Sequence, residues 1–192
     1  MDTSEYAVEL DHFHPERTWY LPSDWRDLRR ALRGIEVGPV DVFVDFGSGK
    51  GRIVYEAARQ PFGKVIGVEV SDRLNQIARK NIERNRHKLR CRRIDLVTAD
   101  AVHFAIPDDM TVAYFYHPFS GDTFKNVIDN IVRSLDRRPR RLTIVYQIPL
   151  MEDYLLSTGR FAVLRTVKYR QDDPHRMTVY QSRPASLAVS TE

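Results

Sequence analysis

Apolar residues along this chain fall into two alternating kinds of run. Short, nearly continuous stretches at Asp41 to Phe46, Lys64 to Val70, Arg93 to Ala99, Thr111 to Tyr116 and Leu142 to Ile148 predict buried strands. Between them, apolar residues recur at helical spacing: Ile53, Val54, Ala57 and Ala58; Leu74, Ile77, Ala78 and Ile82; Phe124, Val127, Ile128, Ile131, Val132 and Leu135. The stretch from Ile94 to Tyr114 carries no clear helical pattern. Ahead of the first strand, Trp25, Leu28 and Leu32 predict a helix capped by Ser23 or Asp24. After Arg160 two extended runs, Phe161 to Tyr169 and Arg176 to Ser182, flank a turn-like QDDPH and predict a closing antiparallel hairpin. The fold class is therefore α/β: one mostly parallel sheet of about seven strands with helices on both faces, ending in that hairpin. The implied organisation is an N-terminal lid and helix over 1–34, a core over 35–183 and a mobile polar tail over 184–192.

Composition narrows the class. The 192 residues suffice for one domain, and 42% hydrophobic with 29% charged residues is ordinary for a globular protein, which argues against a disordered or fibrous chain. No apolar run reaches the roughly 18 residues of a membrane span, and the acidic stretch Met1 to Glu9 does not read as a signal peptide. With Cys91 alone there is no internal disulfide and no thiolate metal site, so the expectation is a cytoplasmic protein without membrane partners. The formal charge of +4 is mildly basic, and two arginine clusters, Arg84 to Arg93 and Arg137 to Arg141, stand out. They read first as solvated flanks of strands and second as a polyanion-binding patch.

The chemistry concentrates where the first strand ends, at Val44 to Arg52, sequence VDFGSGKGR, with three glycines just before a helix. Ligands of open α/β sheets bind beyond the carboxyl ends of strands, and glycine lets them approach the backbone. A phosphate-cradling P-loop requires Ser or Thr after its lysine, but Lys50 is followed by Gly51 and Arg52. A dinucleotide fingerprint requires Gly or Ala where Arg52 stands.

What remains, D-x-G-x-G-x-G over Asp45 to Gly51, resembles motif I of the class I, Rossmann-like S-adenosylmethionine-dependent methyltransferases. Three further segments match in order: Glu69 ending the second strand, Thr98-Ala99-Asp100-Ala101 after the third, and Tyr116-His117-Pro118-Phe119 after the fourth. The resemblance implies S-adenosylmethionine as cofactor, cradled by Gly47, Ser48, Gly49 and Gly51. It implies Asp45 near the cofactor ammonium, Glu69 on the ribose hydroxyls, and Asp100 with Ala101 at the adenine. A carboxylate offers two acceptor oxygens, which suits a vicinal diol. Upstream, Tyr20-Leu21-Pro22-Ser23 resembles a lead that lies over the methionine end, with Ser23 either donating to the cofactor carboxylate or capping the helix.

His117 and Tyr116 are the catalytic candidates. Histidine titrates near neutrality, so His117 reads as a base or orienting group beside the transferred methyl, or else as a packed structural histidine. Asp45 has a structural alternative too, fixing the glycine loop through backbone hydrogen bonds. The residues at 116–119 depart from the Asn/Asp-Pro-Pro-aromatic pattern of amino-group methyltransferases. His12 and His14 lack a third ligand, and no acidic pair follows the fourth and fifth strands, so no metal is expected. The implied reaction is in-line methyl transfer to an oxygen or nitrogen of a small molecule, a natural-product or sugar-like intermediate. A protein-lysine or RNA acceptor is the alternative within enzymes, and a non-catalytic cofactor-binding or regulatory subunit the alternative outside them.

Overall fold

The computed structural model describes residues 26–168 and 176–183. Seven strands, Val42–Phe46 (β1), Lys64–Glu69 (β2), Ile94–Thr98 (β3), Met110–Tyr116 (β4), Thr143–Gln147 (β5), Phe161–Lys168 (β6) and Arg176–Ser182 (β7), form one sheet in the order β3-β2-β1-β4-β5-β7-β6. The first five pair in parallel, and β7 runs antiparallel to both β5 and β6. Every expected strand is present within one residue of its expected ends.

Among the described residues five α-helices accompany the sheet: Asp27–Ala31 (α1), Arg52–Ala58 (α2), Asp72–Arg84 (α3), Gly121–Arg137 (α4) and Glu152–Ser157 (α5). The short α5 escaped the periodicity because only Leu155 within it is fully buried, too few apolar positions to set a period. The expected cap of α1 is corrected: Arg26 occupies the N-cap position, and its side chain has no acceptor to offer. Tyr20, Ser23, Asp24 and Trp25 lie outside the described residues, as do His12, His14, the turn at 171–175 and the tail from Pro184.

Alternation along the strands builds two cores. Val44, Phe46, Phe115 and Tyr146 meet Phe124, Ile128 and Ile131 of α4 on one face, with the Phe46 and Phe115 rings stacked at 4.8 Å. Phe43, Tyr114 and Val145 meet Leu28 and Ala31 of α1 and Val54 and Ala57 of α2 on the other. Chain connections diverge at β1, toward β2 and β3 on one side and β4 on the other. That divergence opens a crevice beyond the carboxyl ends of β1 and β4. Among the described residues no helix is long and apolar enough to cross a membrane.

Candidate active site

The glycine loop lies in this crevice. Gly47 takes φ 78° and Gly51 takes φ 78°, a left-handed conformation that costs an L side chain strain. Space is also missing, since a Cβ on Gly47 would overlap Pro118 beyond β4, and one on Gly51 would come within 2.9 Å of the Ala78 Cβ on α3. These two glycines therefore let the loop pack between two other elements.

Loop amides are spent internally. Gly47 and Ser48 donate to the Val68 carbonyl at 2.9 and 3.0 Å, Gly51 donates to the Ser48 carbonyl, and Gly49 donates to Glu69 Oε2 at 2.8 Å. A phosphate nest needs its N–H groups free, so this loop is built for a different ligand. The strand ends beneath it are acceptor-rich. Asp45 is 3% exposed and Glu69 8% exposed, and among the described residues no hydrogen bond or ion pair reaches the Asp45 carboxylate. The Ser48 hydroxyl is likewise buried without a partner among the described residues. Burial, reinforced by the Glu69 charge, pushes the Asp45 pKa well above the usual carboxylate range. Two buried acids suit a cationic, hydroxyl-bearing ligand, whose charge would stabilise the ionised form.

The Asp45 environment makes a testable statement about stability. Because its folded pKa lies above its unfolded one, folding favours the protonated acid, and stability falls as pH rises from about 3.8 through the raised value. Asp45→Asn keeps the volume without the charge. It is expected to raise the unfolding temperature of the ligand-free protein at pH 7 and to flatten its dependence on pH. An unchanged profile would show that Asp45 is not the buried acid setting it.

Glu69 has a second duty that the sequence did not reveal. Besides Gly49, it accepts from the Ser71 amide through Oε1 at 2.9 Å, so it ties the glycine loop to the start of α3. Val70, next to it, is 45% exposed, a large apolar side chain left uncovered at the end of β2. Its signal in the sequence was an apolar residue directly after the acidic strand end. Ala101 is buried, while Asp100 turns Oδ1 back to the Val102 amide at 3.0 Å.

At the end of β4, His117 is half-buried with φ 37°. A non-glycine residue there is uncommon, and such strain persists only where surroundings enforce it. Burial lowers the His117 pKa from 6.5, so the ring is neutral at pH 7, and Nδ1 is buried without a partner among the described residues. Tyr116 has its pKa raised by burial and then by the Asp27 charge, so its phenol stays protonated and keeps an O–H to donate. Sequence reasoning also missed the support beneath. The Tyr114 hydroxyl donates to Gln147 Oε1 at 2.7 Å, and Gln147 Nε2 donates to Asp27 Oδ2 at 3.2 Å, pinning α1 over the ends of β4 and β5. Among the described residues no cluster of His, Cys, Asp or Glu is arranged to hold a metal ion.

A family model described as a methyltransferase domain matches residues 43–138, which run from β1 through α4 and hold the glycine loop, Glu69, Asp100, Ala101, Tyr116 and His117. The chain belongs to the class I S-adenosylmethionine-dependent methyltransferases. An RNA methyltransferase from Salinibacter ruber, solved with S-adenosyl-L-homocysteine, superposes with TM-score 0.61 at 26% identity, covering 84% of this chain and 92% of that one. The N-methyltransferase NodS from Bradyrhizobium japonicum has the same fold, with TM-score 0.61 at 14% identity over 83% of this chain and 93% of its own. A protein-lysine N-methyltransferase of Saccharolobus islandicus (strain REY15A) is 37% identical over 67 residues, 34% of this chain. The matched stretch spans 42% of that curated relative's length.

Proposed function

We propose that this methyltransferase transfers a methyl group to an oxygen or nitrogen of its acceptor at the crevice between the glycine loop and His117. The observation that carries the reading is His117 itself, neutral, strained and set directly after β4 beside the loop that Gly47 packs against Pro118. When bound, S-adenosylmethionine supplies an electrophilic sulfonium methyl, whose carbon–sulfur bond breaks as the acceptor bond forms, leaving the electron pair on sulfur. His117 takes the proton the acceptor loses, which a neutral imidazole does and an imidazolium cannot. Tyr116, protonated throughout, donates a hydrogen bond that orients the acceptor. Asp45 meets the cofactor ammonium, Glu69 the ribose hydroxyls, and Val70 with Ala101 and Asp100 the adenine, Val70 giving the flat base an apolar face. Gly47, Ser48, Gly49 and Gly51 form the cradle, and Tyr20 and Ser23 belong to the methionine end of this reading. Placement alone contributes on the order of 7 to 11 kcal/mol to such a reaction, so one base suffices.

Glu69 tests the cofactor side. Glu69→Ala is expected to weaken S-adenosylmethionine and S-adenosylhomocysteine alike by roughly 1.5 to 3 kcal/mol in calorimetry, because the ribose is common to both. Glu69→Gln, which keeps one acceptor for the loop amides, should fall between. Equal binding by wild type and the alanine variant would remove Glu69 from the site.

A small molecule is the first acceptor reading, as the sequence suggested. The experiment is transfer of labelled methyl groups into fractionated cell extract, with the labelled species sized and then treated with nuclease or protease. Label in a small, digestion-resistant species supports that reading, and no transfer into any fraction would favour a non-catalytic binding module. A second reading, a nucleic-acid acceptor, is favoured by one observation: the exposed guanidinium groups of Arg29 and Arg33, on and just beyond α1, have no acceptor among the described residues.

A further inference from the structure

Arginines stand at 26, 29, 30 and 33, the i, i+3, i+4, i+7 spacing that gathers side chains on one face of a helix. Leu28, Ala31 and Leu32 occupy the buried face. Like charges so spaced repel one another and weaken the helix that bears them. Within α1 only Asp27 opposes them, through Arg30 at 3.5 Å. The cations do not serve the end of the helix either, because Arg165 of β6 already donates to the carbonyls of Arg30, Ala31 and Arg33.

In the two clusters conspicuous in the sequence, several arginines are engaged. Arg86 pairs with Glu83, and Arg92 donates to the Arg86 carbonyl. Arg137 grips Asp108 at 2.7 Å, and Arg140 closes the loop onto the Met110 and Ser134 carbonyls. Those four guanidinium groups are consumed by the fold, whereas Arg84, Arg90, Arg93 and Arg138 of the same clusters are exposed. Arg29 and Arg33 are exposed, and among the described residues neither guanidinium has an acceptor. Together with Arg30, Leu32, Ile35, Val37 and Gln60 they line an open groove of about 470 Å³.

We infer that this groove binds single-stranded nucleic acid, its phosphates on Arg29 and Arg33 and the faces of its sugars and bases on the apolar side chains. The planar guanidinium fork matches phosphate oxygens, and the alternation of cation and apolar surface matches the alternation of phosphate and nucleoside. Asp27, at the start of the same helix, is pinned to Gln147 at the carboxyl end of β5, whereas the groove opens at the helix's other end, beside Gln60 at the close of α2 and the segment that leads into β1. The groove is therefore a surface separate from the crevice, and binding there does not depend on the reading of the crevice given above.

The test is fluorescence anisotropy with a short mixed-sequence single-stranded RNA, titrated at several salt concentrations, alongside calorimetry of S-adenosylmethionine on the same preparations. Wild type should bind the RNA, with affinity falling steeply as salt rises. Arg29→Ala combined with Arg33→Ala should weaken it by about tenfold or more and lower the salt slope by roughly 1.4, two charges released from a single strand. S-adenosylmethionine affinity should be the same in both proteins, which also reports that the variant is folded. No RNA binding at low salt, equal binding and slope in both proteins, or tighter binding of a polyglutamate peptide than of RNA would overturn the proposal. Loss of cofactor binding by wild type with RNA binding intact would instead strike the crevice reading alone.

Discussion

Valine in place of Gly47 is expected to abolish S-adenosylmethionine binding and to lower stability by roughly 2 to 5 kcal/mol, combining backbone strain with overpacking. Both causes are visible at the position. The backbone sits at φ 78°, and the first carbon of any side chain would overlap the Pro118 ring. Relief requires the end of β4 to move away from β1, which carries His117 off the crevice and opens the loop. Urea denaturation measures the stability loss and calorimetry the lost ligand. Gly34→Ala is the control, since Gly34 has φ 75° but nothing within 4 Å of its added carbon. That variant isolates strain without a clash, and should lose only about 1 kcal/mol while binding the cofactor normally. Normal binding by the Gly47 variant would show that the loop does not cradle the cofactor.

Turnover should fall by about 10² or more in His117→Asn, the expected loss of one general base. Asparagine is a suitable replacement here, because it tolerates positive φ better than most residues and so keeps the backbone that β4 and Pro118 impose. Cofactor affinity should be nearly unchanged. The sign of the pH effect follows from burial, which holds the His117 pKa below 6.5, so wild-type activity survives mild acidification and declines only as the ring gains its proton at lower pH. That acidic limb should vanish in the variant. Stability shares the window. The unfolded chain binds the proton more readily, so His117 makes folding less favourable as pH falls from about 6.5 toward the lowered value, and the variant loses that dependence. Unchanged turnover with only the stability profile altered would assign His117 to packing.

Local pattern fixed much of this protein in advance. Strands as apolar as VFVDF have no reading but burial on both faces, and their alternation with helices leaves a parallel sheet as the arrangement that satisfies every backbone group. The glycine spacing, Glu69 and His117 were legible for the same reason, each being a residue type whose chemistry is unusual at the end of a strand. Short segments such as α5 were not, because a helix with one buried leucine sets no period. Nor could spacing reveal Gly67, whose missing side chain leaves room for the Ser48 hydroxyl and Val54 that a Cβ would meet at 2.8 Å. The sequence by itself determined which elements exist and which chemical groups end them, since those depend on neighbours a few residues away. The tertiary structure alone decided that Pro118 closes on Gly47, that Gln147 reaches Asp27 across 120 positions, and that Glu69 ties the loop to the start of α3. It also decided which arginines are engaged by carbonyls and carboxylates. Each of these is a pairing between distant segments, set by strand order and register, and no local periodicity encodes it.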